Sequence, residues 1–161
     1  FGVNTTFVDL SNLDEWRAAL TDKTRLVFFE TPTNPLMEIA DIAAISSLVH
    51  GYNPDIKVVV DNCFCTPVLQ QPLSLGADVV LHSATKFIDG QGRCVGGAIV
   101  GDHEFVGESV LGFMRTAGPS LSPFNAWTFA KGLETLALRV NQACDNAMQL
   151  AEFLVLSLIH I

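Results

Sequence analysis

Apolar runs of five or six residues recur along this chain, each closed by polar side chains and separated by stretches of helical periodicity. Residues 25–30 (RLVFFE), 56–61 (IKVVVD) and 78–82 (DVVLH) are three such runs. Near-continuous apolar runs read as strands buried on both faces of a parallel sheet, because crossover helices cover both sides. Between the first two, Asp41 opens a helix with Ile42, Ile45, Leu48 and Val49 at helical spacing. The alternation predicts an α/β fold, a three-layer sandwich built on a mostly parallel sheet.

The remaining elements follow from turn and cap chemistry. Residues 5–10 read as a short strand, and Ser11 or Asn12 is placed to cap a helix that runs to about Leu20, with Asp14 and Glu15 matching its dipole. Pro32 and Pro35 end the first apolar run. Residues 63–71 read as a loop, 72–76 as a helical turn, 94–100 as a strand and 103–114 as a helix broken by Gly118-Pro119. Ser122-Pro123 then starts one long helix expected to reach about Leu154. No internal repeat or linker is evident.

A chain of 161 residues that is 49% apolar can bury one core, so a single domain or a piece of one is expected. Its 17 acidic and 9 basic residues give a net charge of −8, and the cations are scattered, which excludes a nucleic-acid backbone as partner. Cys63, Cys65, Cys94 and Cys144 lack framework spacing, and no basic-apolar leader is seen, so a reduced, cytoplasmic compartment is expected. The closing run 153–161 is shorter than the roughly 20 apolar residues of a membrane span.

In open α/β sheets ligands sit beyond the carboxyl ends of strands, where Glu30, Asn34, Asp61, Ser83, Thr85 and Lys86 all fall. Alone, an aspartate ending a strand is a turn-former or cap, and Ser-x-Thr-Lys a solvated turn. Together they meet the needs of one cofactor. Asp61 and Lys86 are 86 − 61 = 25 residues apart, as expected of neighbouring strands joined by one crossover. Pyridoxal phosphate needs an amine for covalent attachment and a carboxylate opposite its ring nitrogen, roles that suit Lys86 and Asp61. Ser83, Thr85 and nearby backbone N–H groups suit its phosphate, and Asn34 its phenolic oxygen. Cys63, Cys65, His82 and Cys94 do not have zinc spacing, so no metal is expected. His50 and His103 fall on expected helices, and His82 is expected to pack beneath the site. A dinucleotide site would need Gly-x-Gly-x-x-Gly between a strand and a helix, and none occurs.

These residues resemble a known family, the Cys/Met-metabolism enzymes of fold type I. The resemblance rests on residues 30–35 (ETPTNP), 60–62 (VDN), 71–78 (QPLSLGAD) and above all 82–86 (HSATK), and it runs from about Phe1 to Leu154. Within the family, residues 63–67, 89–97 and 115–127 are most similar to the O-succinylhomoserine sulfhydrylases. The resemblance implies that Lys86 is the Schiff-base lysine, Asp61 the partner of the pyridinium nitrogen, Ser83 and Thr85 phosphate ligands and Asn34 a contact of the ring oxygen.

It further implies the partial large domain of a fold type I pyridoxal-phosphate-dependent transferase. Residues 1–154 would be the central part of the cofactor-binding domain, and 155–161 an apolar tail outside the family pattern. The amino-terminal phosphate loop, the stacking tyrosine, the residues lent by a neighbouring subunit and the small carboxy-terminal domain have no counterpart in this sequence, so the piece alone is expected to be inert. The implied activity is γ-replacement on an activated homoserine ester, O-succinylhomoserine with sulfide giving homocysteine and succinate. Cystathionine γ-synthase, methionine or cystathionine γ-lyase, and a non-catalytic α/β domain are the alternatives. Implied partners are a small amino-acid substrate, sulfide or a thiol, and further copies in a homodimer or homotetramer.

Overall fold

The computed structural model describes residues 2–156, which form two compact units: residues up to 82 with 97–120, and residues 83–96 with those from 121. The first unit carries the sheet, in the order β1 (Leu26–Glu30), β2 (Lys57–Asp61), β3 (Val79–Ser83) and β4 (Gly97–Gly101). β1, β2 and β3 are parallel, with Glu30 beside Asp61 and Asp61 beside Leu81. A side chain at Gly97 would meet the His82 carbonyl and one at Gly101 that of Asp78, so β4 runs antiparallel to β3. The sheet is mostly parallel, as expected.

One face is packed by α1 (Leu13–Ala19) and α2 (Ile42–Tyr52). Asn12, not Ser11, caps α1, accepting from the amides of Asp14 and Glu15, and Asp41 caps α2 by accepting from Ala44. The register sets Val27 beside Val58 and Phe29 beside Val60, so these four side chains share the face that Trp16, Ile45 and Val49 cover. Trp16 meets the Phe29 ring edge-on, centroids 5.6 Å apart. At the strand starts, Asp78 accepts from the Val58 amide (2.7 Å) and pairs with His50 at the end of α2 (2.9 Å).

On the opposite face the π-helical segment His103–Val110 lies against the sheet, with Lys57 Nζ 5.9 Å from the Phe105 ring centroid, and Val59 and Val79 are buried. Leu26 and Phe28 on the same side are 49% and 53% exposed. Burial on both faces therefore holds for β2 but not for β1, an edge strand whose second face no described residue of this unit covers. Segment 103–110 continues into α4 (Leu111–Ala117), three residues beyond the expected helix end.

Two further expectations change. Residues 5–10 are not a strand: no neighbouring strand offers a ladder, and Asp9 instead turns the chain by accepting from Ser11 N and Oγ. Within 63–71 a short helix forms, α3 (Thr66–Leu69), and Pro72–Leu75 is a 3₁₀ turn closed by Gly76 at φ 96°.

The second unit contains a π-helical turn, Ala84–Ile88, and two helices, α5 (Pro123–Leu133) and α6 (Leu136–Val155). The single long helix expected here is divided. The Gly132 carbonyl is taken by Thr135 N and by the Arg139 guanidinium, so the helical ladder does not pass through residues 134–135. The expected strand at 94–100 starts only at Gly97, because Gly96 is held by Ala84 and Thr85. The apolar tail lies outside the described residues from 157 onward.

Candidate functional site

Asp61 ends β2, the strand that the flanking helices bury most completely. Its Oδ1 accepts from the Cys63 amide at 3.0 Å, which fixes the carboxylate. His82, one residue beyond the register partner of Asp61, is half-buried. Burial pushes its imidazole below the ordinary value, against the opposing pull of the Asp61 charge and a hydrogen bond to the Asn62 backbone. A neutral His82 does not offset the Asp61 charge. His82 lines a small cavity of about 110 Å³ with buried Asn62 and Val80.

Asn34 is exposed on the loop after β1, and its backbone amide donates to Glu30 Oε2 at 3.0 Å. That loop is anchored at buried Thr31, whose Oγ1 accepts from Ala40 N and whose carbonyl accepts from Gln70 Nε2. Glu30 thus works here as a backbone tether for the segment that presents Asn34.

Lys86 and Thr85 belong to the second unit, as does Ser83 at the end of β3. Lys86 sits inside the π-turn with φ −88° and ψ −115°, outside helical values, and its amine is exposed with no ion-pair partner among the described residues. π-turns are rare and recur at functional sites. Thr85 Oγ1 donates to Gly96 O (3.2 Å) and accepts from Gly96 N (3.0 Å), and the amides of Ala84 and Thr85 also donate to Gly96 O. The Thr85 hydroxyl proton and both amides, assigned from the sequence to a phosphate, are therefore engaged within the turn.

Sequence reasoning missed what holds this turn. Asp89, 1% exposed, accepts from Arg93 N (2.6 Å) and Nε (2.7 Å) and from Gln91 N (3.4 Å). Burial opposes its ionisation, but these bonds and the Arg93 charge prevail and hold the carboxyl below the usual range. Burial, with the Asp89 charge, pushes the neighbouring Cys94 thiol up. Arg139 on α6 reaches the carbonyls of Phe87 and Ile88 from 52 and 51 residues away. The Asp-x₃-Arg spacing was a readable signal for the first pair; separations of fifty residues leave none.

Each unit carries one group of a kind that pyridoxal phosphate uses: the second an exposed lysine at Lys86, the first a carboxylate at Asp61 fixed by the Cys63 amide. Lys86 also borders an open cavity of about 450 Å³ with Phe87, Gly90, Gly92 and Arg139. Among the described residues no three His, Cys, Asp or Glu side chains are grouped to hold a metal, and no helix is long and apolar enough to cross a membrane.

Comparison with known proteins gives the family. Residues 1–157 match the Cys/Met metabolism PLP-dependent enzyme family. The chain is 55% identical over 154 residues to O-succinylhomoserine sulfhydrylase of Pseudomonas aeruginosa, covering 96% of this chain and 38% of that protein. It is 51% identical to cystathionine gamma-synthase of Mycobacterium leprae and 46% identical to L-methionine gamma-lyase of Treponema denticola, each over 96% of this chain and 39% of the relative. The crystal structure of metB from Corynebacterium glutamicum superposes with a TM-score of 0.89 at 47% identity, over 95% of this chain and 39% of that one. The chain thus spans about two fifths of the length of these relatives, and within that span the fold and the resemblance read from the motifs both hold. It belongs to the Cys/Met metabolism PLP-dependent enzyme family.

Proposed function

We propose that this chain supplies the cofactor lysine and the ring-nitrogen carboxylate of an enzyme that performs γ-replacement on an activated homoserine ester. O-succinylhomoserine and sulfide would be the substrates, homocysteine and succinate the products. The observation that carries this reading is the 55% identity to an O-succinylhomoserine sulfhydrylase over nearly the whole chain.

Bound pyridoxal phosphate supplies an aldehyde for amine attachment and a ring that accepts electrons. Lys86 Nζ is assigned to attachment and, as a neutral amine, to moving the substrate α-proton. Asp61 would accept the ring N–H and keep that proton in place, with its Oδ1 held by the Cys63 amide. His82, kept neutral by burial, does not draw the carboxylate away. Ser83 and Asn34 are assigned to the phosphate and the phenolic oxygen. Thr85, whose hydroxyl proton goes to Gly96 O, is assigned to shaping the turn that presents Lys86 and not to donating to the phosphate.

A second reading is a cystathionine γ-synthase, favoured by the 51% identity to the Mycobacterium leprae protein. The holoenzyme carrying this sequence, given O-succinylhomoserine with sulfide or with cysteine, and methionine separately, tests both. Sulfide-dependent succinate release faster than the cysteine reaction supports the sulfhydrylase. Faster reaction with cysteine supports the synthase, breakdown of methionine alone a lyase, and no turnover in any mixture overturns the proposal.

A further inference from the structure

The Lys86 turn ends abruptly. Gly90 and Gly92 adopt φ 72° and 66°, so the chain leaves the turn before residues 91 and 92 can donate to the carbonyls of Phe87 and Ile88. Both carbonyls are met by Arg139: Nη1 donates to Phe87 O at 2.7 Å and Nη2 to Ile88 O at 3.3 Å. Nη2 also donates to Gly132 O at 2.8 Å and Nε to Thr135 Oγ1 at 3.1 Å. Of the five guanidinium N–H donors four are spent on the protein, so Arg139 lines the cavity beside Lys86 without being free to bind an anion there.

The surroundings are shaped for this contact. A Cβ at Gly90 would collide with the Arg139 guanidinium, and one at Gly132 with the Ile88 carbonyl. We propose that Arg139 is a positioning residue for Lys86, a planar clamp that holds the π-turn from α6 and so sets where the amine points. The clamp acts through backbone carbonyls and touches neither substrate nor cofactor. Lysine cannot replace it, since three donors on one nitrogen do not span carbonyls that a planar fork reaches separately.

The inference rests on the assignment of Lys86 made above, and one experiment separates the two. Amide exchange and kinetics are measured for the holoenzyme carrying this sequence and for R139A, R139K and R139Q. Asp89 N and Gly90 N, which donate to Ala84 O and Lys86 O, are expected to exchange on the order of tenfold faster in each variant, while Val58 and Val60 amides keep their native rates. Turnover is expected to fall about 10–100-fold with little change in KM. Native exchange at Asp89 and Gly90, or an equal rise across β2, overturns the clamp. R139K and R139Q carry the same test if R139A does not fold. Borohydride labelling of the unsubstituted holoenzyme judges the other claim: a label absent from Lys86 rejects that assignment, and the exchange data still judge the clamp.

Discussion

The end of β2 and the Lys86 turn are held by different physics. Asp61 is delivered by a strand whose Val58, Val59 and Val60 are each 5% exposed or less, so its position follows from apolar burial and sheet register. Lys86 lies in an irregular turn fixed by hydrogen bonds, some local around Asp89 and others reaching to Gly96 and Arg139. Burial is non-directional and tolerates small adjustments, whereas a network of directed bonds fixes one geometry and fails when a member is lost. The carboxylate is thus mounted on the rigid core and the amine on a separately braced loop.

The largest effects should come from the two mounted groups. Lys86→Ala is expected to abolish covalent cofactor attachment and reduce turnover to background, read by absorbance and steady-state rates. Asp61→Ala should retain attachment yet lose about 10²–10³-fold in turnover; a native rate would remove Asp61 from the ring-nitrogen role.

Stability changes should also separate the two regions. Ile45→Ala in the core is expected to lower unfolding free energy by about 2–5 kcal/mol, seen as an earlier denaturant midpoint, with the exchange of Asp89 and Gly90 amides little changed relative to the rest. Gly132→Ala should remove about 1–3 kcal/mol through the clash with Ile88 O, and it should loosen the Lys86 turn selectively. Equal responses of both regions to both changes would show that they are not separately braced.

The smallest effect concerns pH. The folded His82 titrates below its ordinary value, so near pH ~6.5 the unfolded chain binds a proton that the folded chain does not. This contribution to stability is full above that pH and declines as pH falls through it, until the folded imidazole also protonates. Denaturant midpoints of the native protein and His82→Asn between about pH 5 and 7.5 check this; identical slopes for the two would exclude His82.

The same contrast sets what could be read from the residues. Strands β1 to β3, helix α2 and the capping by Asn12 and Asp41 follow from apolar period and cap chemistry, which act over a few residues. The strand ends could be named as a site because an aspartate, a lysine and hydroxyls have few shared uses. The open face of β1 was not legible, since Leu26 and Phe28 look the same in sequence whether covered or bare. Neither was the break at residues 134–135, which depends on Arg139 folding back on Gly132, nor the engagement of the Thr85 hydroxyl by Gly96 eleven residues on.

Every role proposed for the site requires that Lys86 carry the cofactor amine linkage. Borohydride reduction of the holoenzyme followed by peptide mass mapping tests it most directly: one pyridoxyl-phosphate mass addition is expected, on the peptide containing Lys86. A modification confined to another lysine, or none in a protein that binds the cofactor and turns over substrate, would contradict it.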